Sequence, residues 1–363
     1  MKFLYLTCTR FVTAPWRDAS TRYRCFNYAE DLKALGYSVD VALLDELDPR
    51  TLIDYSVVTI LRPTQSRQLN TVLAKCRNHG IVTIADFDDL LFSPEYAQQA
   101  PAVVNGQSTA NHLEQKFSRH LQALTQFDLV TTATERLRQH VCRYMPQTCV
   151  RTLPNGLSHY WLNANAHVRR KNTGNSFNKL NRITYLPGSR SHTADFKLVA
   201  ESLADLINYN QDLRLCIVGN LDFDQSRFNP EQLELHPWVD YNWLPALTAQ
   251  SLVSIAPLCA TEFNACKSHI KFIESAAFGT PVISSPNPDI EKHLPCTGLA
   301  IAQEPDTWVE TLNQMLHPDY REQSSDQIQS YVHSHCLNEA GTQLLLDFLG
   351  SQMEVTQHER PAA

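Results

Sequence analysis

The 363-residue sequence predicts an α/β protein built from two doubly wound, Rossmann-like halves of comparable size. Three observations carry that expectation. Short β-rich runs alternate with helical patterns along the chain, as parallel sheets with crossover helices require. The length suits about two domains of ordinary size. One stretch, "NANAHVRRKNTGNSFNKLN" (163–181), is polar, rich in Asn and without apolar periodicity, and marks a boundary.

From the N-terminus, "KFLYLT", "SVDVALL", "VVTILR", "IVTIAD", "DLVTTAT" and "TCVRTLP" are expected as strands of a first sheet. "PWRDASTRYRCF" (15–26) leads from the first strand into a helix, with Ser20 as its cap and Arg22 and Arg24 just inside. "NYAEDLKALG" reads as a helix closed by Gly36. "LPNGLS" (153–158) ends the last strand, and Asn155-Gly156 makes a hinge-like turn out of the domain. The second series of strands is "RITYLPG", "LRLCIVGN", "WVDYNWLP", "LVSIAPL" and "TPVISS", with helices such as "ADFKLVAESLADLINYN" and "KSHIKFIESAAFG" between them. The expected domains are 1–165 and 166–335. A C-terminal helix (336–363) crosses back to the first domain and frays after Leu349.

A content of 43% hydrophobic and 19% charged residues lets the chain bury real cores. The net charge of −7 argues against a general nucleic-acid binder. No run reaches the ~20 apolar residues of a membrane span. "MKFLYLTCTRF" has neither the length nor the cleavage site of a signal peptide. The ten cysteines form no C-x-x-C pair and no zinc-like spacing with histidine, so they read as buried thiols of a reducing compartment, which places the protein in the cytoplasm.

The charge is unevenly spread. From Arg136 to Ala194 there is no Asp or Glu, against ten Lys and Arg residues. Such a block offers a local positive field to a phosphate-bearing ligand or a lipid headgroup, and with it peripheral contact with the inner face of a membrane. The plainer reading is a solvated linker.

No two glycines form a G-x-G, and no P-loop occurs, which removes NAD enzymes and P-loop NTPases. In "YLPGSRSHTADF" (185–196) a strand ends at Gly188, and Thr193 or Ser191 can cap a helix from about Ala194. Arg190 thus falls at a strand's carboxyl end, where open α/β sheets bind ligands, and can offer a bidentate fork to phosphate. Taken alone, it is more readily an ordinary surface charge.

"TEFNACKSHIKFIESAAFGTPV" (261–282) reads as a helix and then a strand. Lys267 and Lys271 sit four residues apart near the helix start, where the dipole term, roughly 0.3–1 kcal/mol, and their mutual repulsion both have the wrong sign. A bound anion resolves this, with Asn264 and Ser268 available as caps. Glu274 lies a turn deeper, suited to a ribose diol, so the set reads as a nucleoside-diphosphate site. An intrahelical Lys271/Glu274 pair on a solvated face is the alternative. His192 and His269 lie beside these motifs, as donor contacts or as structural groups.

"IVTIADFDDLLF" puts Asp86, Asp88 and Asp89 at a strand end. Such carboxylates suit Mg²⁺ or Mn²⁺ on a diphosphate, or a helix N-cap with first-turn acids. The cations Arg22 and Arg24 repeat the wrong-end placement and point to an anion across a cleft.

"SIAPL", "EFNACKSHIKFIESAAFGTPVISS", "ITYLPGSRSHTADF", "LCIVGN" and "LPNGLS" resemble, in order and spacing, the donor-binding half of GT-B glycosyltransferases of the group 1, family-4-like type. "RYRCFNYAEDLKALGYSVDV" and "ADFDDLLF" extend the resemblance into the first half. It implies a GT-B fold with a cleft between the carboxyl ends of two sheets. Glu274 matches the Glu that holds the ribose; Arg190 with Lys267 or Lys271 matches the basic pair on the diphosphate. The first Glu of the family's Glu-x7-Glu pattern is here Cys266, which leaves Glu262 or Asn264 for the donor sugar. The loop of Asp86, Asp88 and Asp89 faces the acceptor side, where one of them orients or deprotonates a hydroxyl.

The implied reaction moves a sugar from a nucleoside-diphosphate sugar to a hydroxyl on a glycan, lipid-linked or protein acceptor. It is nominally retaining, belongs to surface polysaccharide or glycoconjugate synthesis, and needs no metal or other cofactor, because Arg190 and the lysines neutralise the leaving group. The rivals are a metal-dependent GT-A-like transferase using Asp86 and Asp88, and a non-catalytic nucleotide-sugar-binding subunit of a glycan-assembly complex.

Overall fold

The computed structural model describes residues 1–164, 179–188 and 190–358, with Arg190 and residues 353–358 described by backbone alone. Contacts divide the chain into two units. Unit 1 is Met1–Pro94, Gln115–Gly156 and Leu337–Ala363; unit 2 is Glu95–Glu114 and Leu157–Cys336. The passage between them thus falls at 156/157 rather than 165/166, and 95–114 joins the second unit.

Unit 1 holds β1 (Lys2–Thr7), β2 (Ser38–Leu43), β3 (Val57–Leu61), β4 (Val82–Phe87), β5 (Leu129–Thr132) and β6 (Cys149–Thr152). They form one parallel sheet in the order β2-β1-β3-β4-β5-β6. Strands covered on both faces read as continuous apolar runs, and β3, "VVTIL", is buried along its whole length. The helix Arg67–Asn78 shows why the crossovers form where they do. Ser66 Oγ accepts the Leu69 N–H at 3.0 Å, and Leu69, Val72, Leu73 and Cys76 make the buried stripe.

Gly36 follows the helix Asn27–Ala34 with φ of +87°, the closing glycine expected there. The C-terminal helix, Asn338–His358, packs within this unit: Leu345, Phe348 and Leu349 share a core with Phe3, Tyr28 and Leu32. Buried Asp31 accepts from Asn338 Nδ2 at 2.6 Å and Thr342 Oγ1 at 3.0 Å. The helix does not fray at Leu349 but runs on to His358.

Unit 2 holds β7 (Arg182–Gly188), β8 (Arg214–Gly219), β9 (Leu233–His236), β10 (Val253–Ala256), β11 (Val282–Ser284) and β12 (Leu299–Ile301). Its parallel sheet runs β12-β11-β10-β7-β8-β9. The expected strand "WVDYNWLP" is instead a 3-10 turn, Tyr241–Trp243, running into the helix Leu244–Ala249, because Pro245 suits a helix's first turn and cannot donate to a ladder. The edges come from "LELH" and "LAI", too short to announce themselves. The long helix expected over "ADFKLVAESLADLINYN" breaks into Thr193–Lys197 and Ala200–Tyr209 at Val199, where Phe196 drops into the core and stacks on Tyr185 at 5.4 Å. At the ends of β7 and β8 the backbones of Gly188 and Gly219 meet: a Cβ on Gly219 would stand 2.8 Å from Gly188 N. No side chain fits there.

Six of the ten cysteines are buried and all ten are free. No helix among the described residues is long and apolar enough to cross a membrane.

One polar network lies inside unit 1. Arg22–Phe26 adopts a π-helical turn, with the Asn27 N–H bonded to Arg22 O. Arg24 turns inward from it to grip Asp86 at the end of β4, Nε to Oδ2 at 2.8 Å and Nη2 to Oδ1 at 2.7 Å. Thr131 Oγ1 donates to the same carboxylate at 2.6 Å, and Arg24 Nη1 reaches Leu153 O at 2.7 Å and Asn155 Oδ1 at 3.0 Å. The pair is 1% and 3% exposed at its side chains. Removing one member strands the other charge, so Arg24→Ala should cost about 3–5 kcal/mol in urea unfolding, and joining it to Asp86→Leu should recover most of the loss. A loss under about 1 kcal/mol in the single variant contradicts a dry, coupled pair.

Candidate functional site

In a parallel sheet every carboxyl end lies on one edge, and ligands bind where the winding reverses. In unit 2 that point lies between β7 and β10. The chain after β7 makes the turn Arg190–His192 and the helix Thr193–Lys197; after β10 come Cys259, Thr261 and the helix Glu262–Ala265.

Asp195 joins the two. Its Oδ1 accepts the Cys259 N–H at 2.7 Å and Asn264 Nδ2 at 3.2 Å, and its Oδ2 lies 2.8 Å from His192 Nδ1. Burial pushes this carboxyl up, but the His192 hydrogen bond, the Lys267 charge and the Cys259 N–H outweigh it and hold the group at about 2. His192 is pushed down to about 3, first by burial and then by Lys267 and Lys271. It is therefore neutral near pH 7, with its Nδ1–H donated to Asp195. Neither Thr193 nor Ser191 caps the helix; Asn105 does that work, accepting the Ala194 N–H at 2.7 Å and donating to Ser191 O at 2.8 Å.

The segment from 261 is not the single helix expected. It forms Glu262–Ala265 and Ile270–Ala276, joined by Cys266-Lys267-Ser268-His269. The break has a cause: the His269 N–H donates to Asp289 Oδ2 at 3.0 Å, and Asn287 Nδ2 donates to Asn264 O at 2.8 Å. Thr261, not Asn264 or Ser268, is the cap, its Oγ1 accepting the Asn264 N–H at 3.1 Å. Lys267 and Lys271 are accordingly not an intrahelical pair; their repulsion acts through space. Lys271 lies with its ammonium 5.8 Å from the Tyr185 ring. Burial and then Lys267 push it from 10.5 down to about 8, against Asp195 and Glu274.

Of the other expected donor residues, Glu274 is buried, on the same helix as Lys271. Glu262 is half-buried, its N–H bonded to Gln99 Oε1 at 2.8 Å. Asn264 uses its amide nitrogen on Asp195 and on Cys259 O at 3.0 Å, while its Oδ1 is buried with no hydrogen-bond partner. Cys266 is fully buried. Arg190 stands in the turn after β7, and its side chain, like Ser189 and 165–178, lies outside the described residues.

In unit 1, Arg62 follows β3 as the one non-glycine residue with positive φ among the described residues, +49°. Its N–H donates to Asp86 O at 2.7 Å, while its guanidinium binds Asp88 and, at 2.6 Å, Asp89. Burial pushes Asp88 up, but Arg62 and the Ser20 hydroxyl hold it below the ordinary carboxylate range. The metal reading of Asp86 and Asp88 is thereby corrected, since arginines already neutralise both carboxylates. The helix-cap reading is corrected too, for no helix follows Asp86 directly. Arg24 is spent on Asp86, and Arg22 on Glu30 at 2.7 Å, so neither is an open anion contact. Asp18 rather than Ser20 is the cap there.

Three residues of the basic block have partners within the fold. Arg182 is 3% exposed and bonds Glu234 at 3.1 Å, Lys179 bonds Thr280 Oγ1 at 2.7 Å, and Arg138 pairs with Glu135 at 2.6 Å; Arg169, Arg170 and Lys171 lie outside the described residues. Sequence reasoning missed Asp195 and Arg62. Asp195 had a signal: it is the first acid after the acid-free block.

Residues 183–318, all within unit 2, match the model of the family described as glycosyl transferases group 1. A search of curated protein sequences found no match. Among solved structures, the chain is similar to HepE of Anabaena in complex with UDP-glucose, at 12% identity over 97% of this chain and 100% of that one, with a TM-score of 0.62. The sucrose-phosphate synthase of Thermosynechococcus elongatus gives 14%, 98%, 100% and 0.63, and the UDP-GlcNAc 2-epimerase of Neisseria meningitidis, bound to UDP-GlcNAc, 10%, 97%, 100% and 0.55. At these identities the likeness is one of fold, the GT-B arrangement of two α/β units.

The Lys271 ammonium makes a prediction of its own. Its folded value of about 8 lies below the ordinary 10.5, so between them the unfolded chain holds the extra proton and stability rises with pH. Lys271→Met should flatten that rise and make the ligand-free protein more stable at pH 7, by at most about 3 kcal/mol. Melting temperatures at pH 7, 9 and 10 measure it; parallel pH curves for the two proteins contradict the assignment.

Proposed function

We propose that the chain, whose residues 183–318 match the model of group 1 glycosyl transferases, is a glycosyltransferase that moves a sugar from a nucleoside-diphosphate sugar to an acceptor hydroxyl. One observation carries the reading. Lys267 and Lys271 stand together at the switch point of unit 2, where burial and then the Lys267 charge push Lys271 down to about 8. That arrangement is unfavourable by itself and becomes favourable once a diphosphate binds them.

In this reading Lys267, Ser268 and Lys271, with Arg190 from the turn after β7, hold the diphosphate, and Glu274 takes the ribose diol. Glu262 and Asn264, whose Oδ1 has no partner, take the sugar hydroxyls, a task a buried thiol at Cys266 performs poorly. Asp195 and neutral His192 keep the two loops in register beneath the ligand. We assign the acceptor to unit 1, where Asp88 and Asp89, fixed by Arg62, orient its hydroxyl. Carboxylates paired in this way are weak bases, so the departing diphosphate oxygen takes the acceptor proton. The reaction is retaining, metal-free in its chemistry, and serves surface polysaccharide or glycoconjugate synthesis on a glycan, lipid-linked or protein acceptor, in the cytoplasm or at the inner face of its membrane.

Cys266 favours one second reading, a nucleotide-sugar-binding subunit without turnover. A thermal-shift panel of UDP-, GDP-, dTDP- and ADP-sugars separates them, because a donor present at 100 Kd adds about 2.7 kcal/mol. One nucleotide class should shift the protein, Glu274→Ala should lose the shift, and slow donor hydrolysis should accompany binding. Binding without any hydrolysis or transfer favours the subunit. A panel with no shift at all defeats both.

A further inference from the structure

Behind the lysine-bearing connection, unit 2 gathers three side chains that the reaction does not use. His269 comes from the connection itself, His293 from just beyond the helix Pro288–Glu291, and Cys336 from the cap of the helix Pro318–His335. A ligand atom of each lies within 4.8 Å of the other two, and the residues are 2%, 6% and 4% exposed.

The hydrogen bonds around them have the pattern of metal ligands. His269 Nδ1 is 2.7 Å from Asp289 Oδ2, the carboxylate–imidazole pairing that orients a ligating histidine. Lys292, 2.6 Å from Asp289 Oδ1, helps keep that carboxylate charged. His293 Nδ1 lies 3.0 Å from the Tyr331 hydroxyl, while its Nε2 is buried with no hydrogen-bond partner. An unpartnered buried nitrogen is costly unless something fills its place.

We propose that His269, His293 and Cys336 form a transition-metal site suited to Zn²⁺, separate from the sugar-transfer chemistry. Two imidazoles and a thiol are a borderline-soft donor set, which favours zinc over Mg²⁺ or Ca²⁺. Tetrahedral zinc would hold such atoms about 3.5 Å apart, so the three need to close by roughly 1 Å, a side-chain adjustment. Coordination replaces the S–H bond of Cys336 with a metal–sulfur bond and releases one proton to solvent. The thiol, pushed up to about 12 chiefly by burial, keeps its proton until then. Because His269 lies between Lys267 and Lys271, the ion would tie down the connection that presents them.

The sequence spacing showed no sign of this, since the three residues are scattered between 269 and 336. The competing account is a packed ring cluster without an ion, for His293 also lies 4.8 Å from His269 and 5.2 Å from Phe272.

The test uses the full chain, stripped with a chelator and then given Zn²⁺ or Co²⁺ alone. Expected are one bound equivalent, a higher melting temperature with Zn²⁺, and, with Co²⁺, tetrahedral d–d absorption plus a thiolate charge-transfer band. Cys336→Ser should abolish that band and weaken Zn²⁺ binding at least 100-fold. His293→Gln should weaken it at least 10-fold and Asp289→Asn 10–100-fold, while Cys76→Ser changes nothing. Wild type lacking the charge-transfer band overturns the proposal whatever the variants do, as does equal Zn²⁺ affinity in wild type and Cys336→Ser.

Discussion

A single buried carboxylate organises the second unit. Asp195 is where the loop after β7 and the loop after β10 are bonded to each other, through a backbone N–H, an amide and an imidazole. A parallel sheet only guarantees that its loops emerge along the same edge. It does not fix their spacing. Asp195 does so, and its negative charge also offsets those of Lys267 and Lys271.

Unit 1 solves the same problem differently. Its acids at the end of β4 are matched by arginines, Arg24 deep in the core and Arg62 nearer the surface. Ion pairs buried this way add little net stability compared with well-packed apolar groups, but they penalise every misplacement. The contrast between the units is local: paired charges at the end of β4 in the first, two lysines near Asp195 after β10 in the second. Those lysines are what a polyanionic ligand would answer.

The large elements were legible because continuous apolar runs and capped, periodic helices come from local physics. Strands such as β3 and β7, and the end of the helix at Gly36, lie where the residues put them. The reading failed where distant bonds overrule local preference. Nothing in "ACKSHIK" announces that Asp289 and Asn287 will divert the chain at His269. Likewise Arg22 and Arg24 read as open cations, because Glu30 and Asp86 become their partners only in the folded chain. "WVDYNWLP" alternates like a strand, and one proline decides otherwise. Lys267, Lys271 and Glu274 could be singled out from residue type and spacing alone; Asp195 offered only its place as the first acid after the acid-free block, since its value lies in contacts with residues more than sixty positions away.

The division of the chain has a consequence for its birth. Unit 2 is drawn from 95–114 and 157–336, whereas unit 1 waits for the helix Asn338–His358 to supply Leu345, Phe348 and Leu349 to its core. During synthesis the second unit is complete in sequence when the first still exposes an apolar groove over Phe3, Tyr28 and Leu32. Unit 1, begun before unit 2, is thus the later to finish folding, and until the helix Asn338–His358 has emerged from the ribosome that groove is a surface for chaperones to shield.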